Sequence, residues 1–391
     1  MAIPLKYNIR NLAVRKITTS LTAFGIGLVV AVLLAVLSLA EGLTSVFKTS
    51  GSDNNIIVLR KNSQSEIQSG IYKNQVPLIY TLPGIQKDKN QISLASAEAV
   101  VVINMEKKGG GTSNVTIRGV SEKGPILRPQ FRLVEGRMFN TGLPEMIASQ
   151  AISNRFKNMR LGDVVQVGSN KWRIVGIFDA GGTAADSEIW TDVERVLGDF
   201  KRSHYSSVLV KIADDSSRTA LISSIEGDSR LALEGTIESK YYDEQTKVAD
   251  PIKFLGIFIA TIMAVGASFG AMNTMYANIS TRVKEIATLR VLGFSRFAIM
   301  TSFVIESLII SLFGGIIGCV MGYMIVKLAI KDVTGTTNFN TFSEVVFAFQ
   351  LTPDLVLLGL LLSLLVGLLG GLIPAAQAAY TKITIALRQN E

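Results

Sequence analysis

Two residue types that build active sites are almost missing from this chain of 391 residues, which has one cysteine, Cys319, and one histidine, His204. A single cysteine closes no disulfide within the chain, so any folded region must hold itself together by packing. One histidine leaves a Ser-His-Asp triad or a His-rich metal site to be assembled around His204 alone. No Gly-x-x-x-x-Gly-Lys-Ser/Thr occurs, so the chain has no P-loop for ATP. Gly266-Ala-Ser-Phe-Gly270 fits the Gly-x-Ser-x-Gly pattern of a nucleophile elbow, but that motif needs a strand before the serine and a helix after it. Here apolar helix runs on both sides, and the segment reads as helix packing by small residues. Gly109-Gly-Gly111 lacks both phosphate-loop spacing and a following helix start, so it reads as a hairpin turn. Neither a catalytic residue nor a metal site is assigned, and catalysis by this chain is not expected.

What the chain has is apolar length. Of its residues 48% are hydrophobic, unevenly spread. Four stretches hold the roughly 20 mostly apolar residues that a bilayer core requires, about 17–40, 252–279, 297–330 and 355–376. Between the first and second lie about 200 residues of ordinary globular composition, enough for a sizeable domain. The expected fold class is an α-helical membrane bundle of four transmembrane helices with a large mixed α/β extracytoplasmic domain between helices 1 and 2. Likeness of Ser38-Leu-Ala40 to a signal cleavage site is outweighed by the length of the apolar run. Leu5, Ile9, Leu12 and Ala13, opposite Lys6 and Arg10, also share one face of an interfacial amphipathic helix.

Charge sets the orientation. Lys6, Arg10, Arg15, Lys16, Arg282, Lys284, Arg290, Arg296, Lys382 and Arg388 flank the span ends, against Glu285 and Glu391. These are ten of the 39 basic and two of the 31 acidic residues, a surplus equal to the chain's net +8. The positive charge therefore marks a cytoplasmic face rather than a nucleic-acid site, with both termini inside and the large domain outside. The layout reads as an interfacial helix (1–16), helix 1 and stalk (17–48), outer domain (49–250), helix 2 (251–279), a short cytoplasmic helix (280–293), helix 3 (294–330), an outer loop (331–353), helix 4 (354–379) and a tail (380–391).

In the outer domain, short β-branched runs predict strands at 55–60, 98–105, 115–120, 164–167, 172–178 and 207–212. Helical spacing is expected at 145–156 and 216–225. Gly181-Gly182 reads as a mobile loop, and loops 61–90 and 179–187 as places for partner contact.

Gly314, Gly318 and Gly322 recur every four residues on the third span, with Gly266 and Gly270 on the second, flat strips for close helix packing or a dimer seam. Glu306 follows Arg296 by ten residues, roughly 15 Å at about 1.5 Å per residue. At that depth a carboxylate costs on the order of 2–3 kcal/mol and should face a partner or be protonated, unless it lies shallower beside a basic residue. The 280–293 segment combines an apolar face (Val283, Ile286, Ala287, Val291) with Arg282, Lys284 and Arg290, and Gly293 is placed to end it in a left-handed conformation. It is either a basic anchor on anionic lipid or a docking helix for a cytoplasmic motor.

Arg282-Val-Lys284-Glu285-Ile286-Ala-Thr-Leu289-Arg290-Val-Leu292-Gly293 resembles the segment after the second span in the FtsX-like permeases of ABC transporters. Met272-Asn-Thr-Met275, Glu306, Ser20-Leu-Thr22 with Gly25-Ile26, and Pro374-Ala-Ala376 through Ala386-Leu-Arg388 resemble that family too. Glu135-Gly-Arg137-Met-Phe139, Leu161-Gly-Asp163 and Trp172-Arg-Ile-Val-Gly176 resemble its MacB-like periplasmic core. The resemblance implies a permease of the bacterial inner membrane that works with cytoplasmic ABC ATPase subunits and a second permease copy. It further implies ATP and Mg bound on the partner rather than here, and either a periplasmic adaptor or a carrier. Motion of the ATPase would reach the outer domain along the first two helices, for export of a drug or peptide or extraction of a lipid or lipoprotein. The alternative is a non-transporting scaffold or sensor whose outer domain binds a ligand or regulates a cell-wall hydrolase.

Overall fold

The computed structural model describes residues 16–168, 170–228, 230–329, 334–337 and 344–380. Residues 1–15 of the expected interfacial helix (1–16), residues 381–391 of the tail (380–391) and residues 331–333 and 338–343 of the outer loop (331–353) fall outside the described residues. The chain forms two compact units, an α/β unit (Gly42–Ala249 with Val333–Ala348) and a helical unit containing the rest.

The first element is α1 (Lys16–Lys48), an apolar run without proline in which the backbone satisfies its own hydrogen bonds, as a hydrocarbon medium demands. The α/β unit then runs through β1 (Asn55–Arg60), β2 (Ile71–Tyr72), α2 (Val76–Tyr80), β3 (Ala95–Glu106), β4 (Thr112–Val120), β5 (Arg132–Gly136), β6 (Glu145–Ser149), α3 (Gln150–Arg155), β7 (Val164–Val167), β8 (Asn170–Asp179), β9 (Glu188–Asp192), α4 (Val193–Asp199), β10 (His204–Tyr205), β11 (Ser207–Lys211), α5 (Ser217–Gly227), β12 (Leu233–Ile237) and α6 (Glu238–Gln245). There follow α7 (Asp250–Ser280), α8 (Val283–Val291), α9 (Arg296–Ala329), β13 (Thr334–Thr337), β14 (Glu344–Phe347) and α10 (Pro353–Tyr380). Among the described residues four helices, α1, α7, α9 and α10, are long and apolar enough to cross a membrane.

Ten strands make one mixed sheet, ordered β12-β1-β11-β3-β4-β9-β6-β8-β5 with β7 on β8. Its joint is β3. Ala95–Glu98 pair with β11, while Ala99–Glu106 pair with β4, so one long strand belongs to both halves. The Gly109–Gly111 turn closes the β3–β4 hairpin with positive φ at Gly110 and Gly111, where a side chain would be strained.

The segment 145–156, expected as one helix, is instead strand β6 followed by α3. Met146, Ile147 and Ala148 are wholly buried between β8 and β9, and a continuously apolar central strand has no alternation to distinguish it from helix. The Ser149 hydroxyl marks the switch by accepting the Ile152 amide proton at the start of α3. The 179–187 loop, read as mobile, is gathered around Asp186, whose carboxylate accepts from the Ala180 and Gly182 amides at 2.7 Å each.

At the middle of the sheet Arg118 (β4) is enclosed by three carboxylates. It makes paired bonds to Glu66 (2.7 and 2.8 Å) and Glu188 of β9 (2.8 Å each), and one to Glu98 of β3 (2.8 Å). Arg128 grips Glu98 through two further bonds, Ser207 of β11 donates to Glu66, and Trp190 Nε1 donates to Glu188. Loop 61–90 is therefore pinned through Glu66 to the sheet. Burial would raise the Glu98 carboxyl, but the charges of Arg128 and Arg118 outweigh it and hold it below its usual range. A carboxyl lowered by folding contributes stability above its unfolded value, about 4.3, and loses it as pH falls through the folded value. Acid therefore loosens this cluster.

Replacing Arg118 by Met should cost about 3–5 kcal/mol, because three carboxylates stay buried with one cation fewer. The check is the guanidinium midpoint followed by tryptophan fluorescence. A loss below about 1 kcal/mol would mean that the cluster does not hold the sheet.

Candidate functional site: a short helix fastened between long ones

The site is built around α8. The chain leaves α7 at Ser280, turns through Thr281 and Arg282, and forms nine residues of helix. Ile286 and Ala287 are buried, Ile286 in a cluster with Met275 and Ile279 of α7, Ile299 and Phe303 of α9, and Ala375 and Ala378 of α10. Three long helices thus meet on one side of a short one.

Polar contacts fix its start. Arg282, at the N-cap position, bonds Glu285 at 2.8 Å and Glu306 of α9 at 3.0 Å, with its guanidinium 5.0 Å from the Phe303 ring centre. Glu306 is 4% exposed and has Arg282 as its basic neighbour. Burial, and then the nearby charge of Glu306, push the Glu285 carboxyl upward.

Its end is a Schellman turn. The Phe294 amide donates to the Leu289 carbonyl and the Gly293 amide to the Arg290 carbonyl, with Gly293 at φ +91°. Arg290 Nη1 donates to the Phe294 carbonyl at 3.1 Å, so this half-buried arginine braces the turn as well as adding charge. Lys284 and Thr288 are exposed, as are Val291 (67%) and Leu292 (66%). Val291, grouped from spacing with the buried face, is thus on the open side, because the helix ends before a third turn could carry it under α9.

The glycines divide into two sets. Gly314, Gly318 and Gly322 of α9 lie against α1 of the same chain. A Cβ on Gly318 would lie 2.5 Å from the Gly27 carbonyl oxygen, and one on Gly314 2.6 Å from that of Ala23. Of the two readings of this strip, packing within the chain or a dimer seam, these three glycines make the first kind of contact, against α1. Around Gly266 and Gly270 of α7, nothing lies within 4 Å of an added Cβ. Gly25 and Gly270 border a groove of about 380 Å³ between α1 and α7, beside a Thr22–Thr274 hydroxyl contact of 3.1 Å. Ser268, the elbow serine, sits inside α7 with its hydroxyl donating to the Ala264 carbonyl, an ordinary helix bond. Among the described residues no cluster of three or more His, Cys, Asp or Glu suits a metal ion.

In the α/β unit the three family-like segments meet on β8. Gly136 pairs with Gly176 across β5 and β8, and a Cβ on either would lie within 2.4 Å of a carbonyl oxygen on the facing strand. The Gly162 amide donates to Ile174, Ile174 donates back to Asp163, and Arg137 clamps Glu145. Gly136 and Gly176 are needed where two backbones touch.

The architecture is an α/β domain inserted after the first of four candidate spans, with a short helix after the second. Residues 19–227 match the MacB-like periplasmic core domain and residues 257–383 the FtsX-like permease C-terminal region. The chain belongs to this MacB/FtsX family of ABC transporter permeases, which makes it a membrane protein with an extracellular α/β domain. It is 24% identical over 405 residues to the macrolide export ATP-binding/permease protein MacB of Bartonella quintana, matching 96% of this chain but 58% of that protein's length. It is also 24% identical to the ABC transporter permease YknZ of Bacillus subtilis, over 98% of both chains. The solved extracellular domain of a YknZ transporter from Gram-positive bacteria covers 47% of this chain and is itself matched completely, at 15% identity and a TM-score of 0.37.

A double-mutant cycle on Arg282→Met and Glu306→Gln should return a coupling of about 1–3 kcal/mol, the double variant being more stable than the sum of the single losses implies. Simple additivity in thermal unfolding would show that the pair does not fasten α8 to α9.

Proposed function

We propose that this chain is the non-catalytic permease subunit of an ABC transporter, carrying ATP-driven motion of a separate cytoplasmic ATPase to its outer domain for export or extraction of envelope cargo. The observation that carries the reading is α8. It ends in a Schellman turn and is ion-paired to α9 at its start, yet it leaves Lys284, Thr288, Val291 and Leu292 exposed. A helix held this rigidly transmits a push, and an exposed apolar tip suits a protein groove better than water.

In this reading Arg282, Glu285, Ile286, Leu289, Arg290 and Gly293 hold the coupling helix in place, and Lys284, Val291 and Leu292 meet the ATPase. The charge surplus beside α8 supports an arrangement with both termini and α8 in the cytoplasm of a bacterial inner membrane. ATP and Mg belong to the partner, which would supply what the 58% match to MacB leaves uncovered. The open Gly266–Gly270 face of α7 supports docking of a second permease copy there, since small residues let transmembrane backbones approach closely. A periplasmic adaptor or carrier would complete the path, and nucleic acid has no part in it.

Leu292→Asp should abolish co-purification of a Walker-motif ATPase from native membranes and lower permease-stimulated ATP hydrolysis by about tenfold or more, leaving the melting temperature unchanged. Undiminished recovery of the ATPase with this variant would favour the scaffold or sensor reading.

A further inference from the structure

We propose that Glu344 is a positioning residue that fastens the connection between α9 and α10 into the α/β domain, so that these two helices also drive that domain. This inference rests on the permease reading above. The connection is not an open loop. Its described parts form a hairpin in which Thr337 pairs with Glu344 and Thr334 with Phe347. All four residues of β14 are buried, and the Val346 amide donates to the Ser187 hydroxyl at 2.7 Å. Glu344 is 3% exposed and reaches two cations from different elements, Lys107 at the end of the β3–β4 hairpin (2.9 Å) and Arg155 at the end of α3.

Only glycine fits where the hairpin leaves the domain. A Cβ on Gly42, in the last turns of α1, would lie 2.1 Å from the Ala348 carbonyl oxygen. The hairpin strand thus runs directly against the segment by which α1 joins the domain.

The chemistry argues for more than a linker. A connection between two membrane helices is satisfied by solvated polar residues, whereas burying a carboxylate is costly unless its charge is fully met. Here burial alone would raise the Glu344 carboxyl. Hydrogen bonds from Ser113 and Lys107 and the charges of Arg155 and Lys107 outweigh it, and hold the group ionised below the usual range. The domain therefore receives the chain four times, through its covalent connections to α1 and α7 and through the two arms of a hairpin held by ion pairs. The last attachment is reversible, which makes it the one that sets how much motion gets through.

The test uses this chain reconstituted with its ATPase, comparing wild type, Glu344→Gln, Glu344→Asp and Lys107→Gln. Three quantities are read: hydrogen exchange at 344–347, ATP hydrolysis, and the ATP-dependent change in exchange across the α/β domain. Glu344→Gln should raise exchange at 344–347 by about tenfold or more and leave hydrolysis within about twofold. It should also remove most of the ATP-dependent response in the domain. Glu344→Asp should restore most of that response, and Lys107→Gln should give an intermediate loss. A hairpin that stays protected in Glu344→Gln overturns the proposal, as does one that is released without loss of the response. Those outcomes differ from failure of the permease reading, in which wild type itself shows no ATP-dependent response and Leu292→Asp retains its ATPase.

Discussion

Three carboxylates around one guanidinium form the constraint on which the α/β domain depends. Arg118 cannot be buried unless Glu66, Glu98 and Glu188 all arrive, and those residues belong to a loop and two strands far apart in sequence. A mispaired register would leave a charge in the core, at a cost far above that of a misplaced methyl group. With no disulfide available, this cluster does what a cross-link does elsewhere. It ties both halves of the sheet to the loop that follows β1, and its specificity comes from counting charges rather than from shape.

The helical unit uses the same device on a smaller scale. Arg282 reaches from the turn before α8 to Glu306 inside α9, so a helix of nine residues, too short to be stable alone, is held by one ion pair and a patch of apolar packing. The domain hairpin repeats it with Glu344. In each case a charge that is expensive to bury connects a short mobile-length segment to a rigid one, and the segment stays put only while its counter-ion is present.

Much of this was legible in the sequence where pattern and physics coincide. The four spans follow from apolar length, and strands at 55–60 and 164–167 from their β-branched runs and flanking turns. The capped end of α8 follows from a glycine after a basic turn. What escaped was set by tertiary contacts. The middle of β6, Met146–Ala148, is apolar without alternation because it is buried on both faces, so its period was hidden. α6 is too polar to announce itself, and its Glu238 accepts from the Ser52 amide and Asn55, far away in the chain. The partner of Glu306 could not be chosen from linear distance, because the α7–α8 corner brings Arg282 back beside α9. The glycine strip of α9 was visible, but only coordinates assign it to α1, since a flat helix face fits any backbone.

That strip has a mechanical meaning. Where Gly27 meets Gly314 and Gly318, backbone touches backbone and no side chain lies between the helices to change rotamer. Sliding or rolling there would drive carbonyl oxygens into main-chain atoms, so α1 and α9 are geared together and turn as one beam. The contact of α1 with α7 is made instead by side chains, Leu33 and Leu37 against Ala260 and Thr22 against Thr274, so the two seams of α1 differ in kind: main chain on one, side chain on the other.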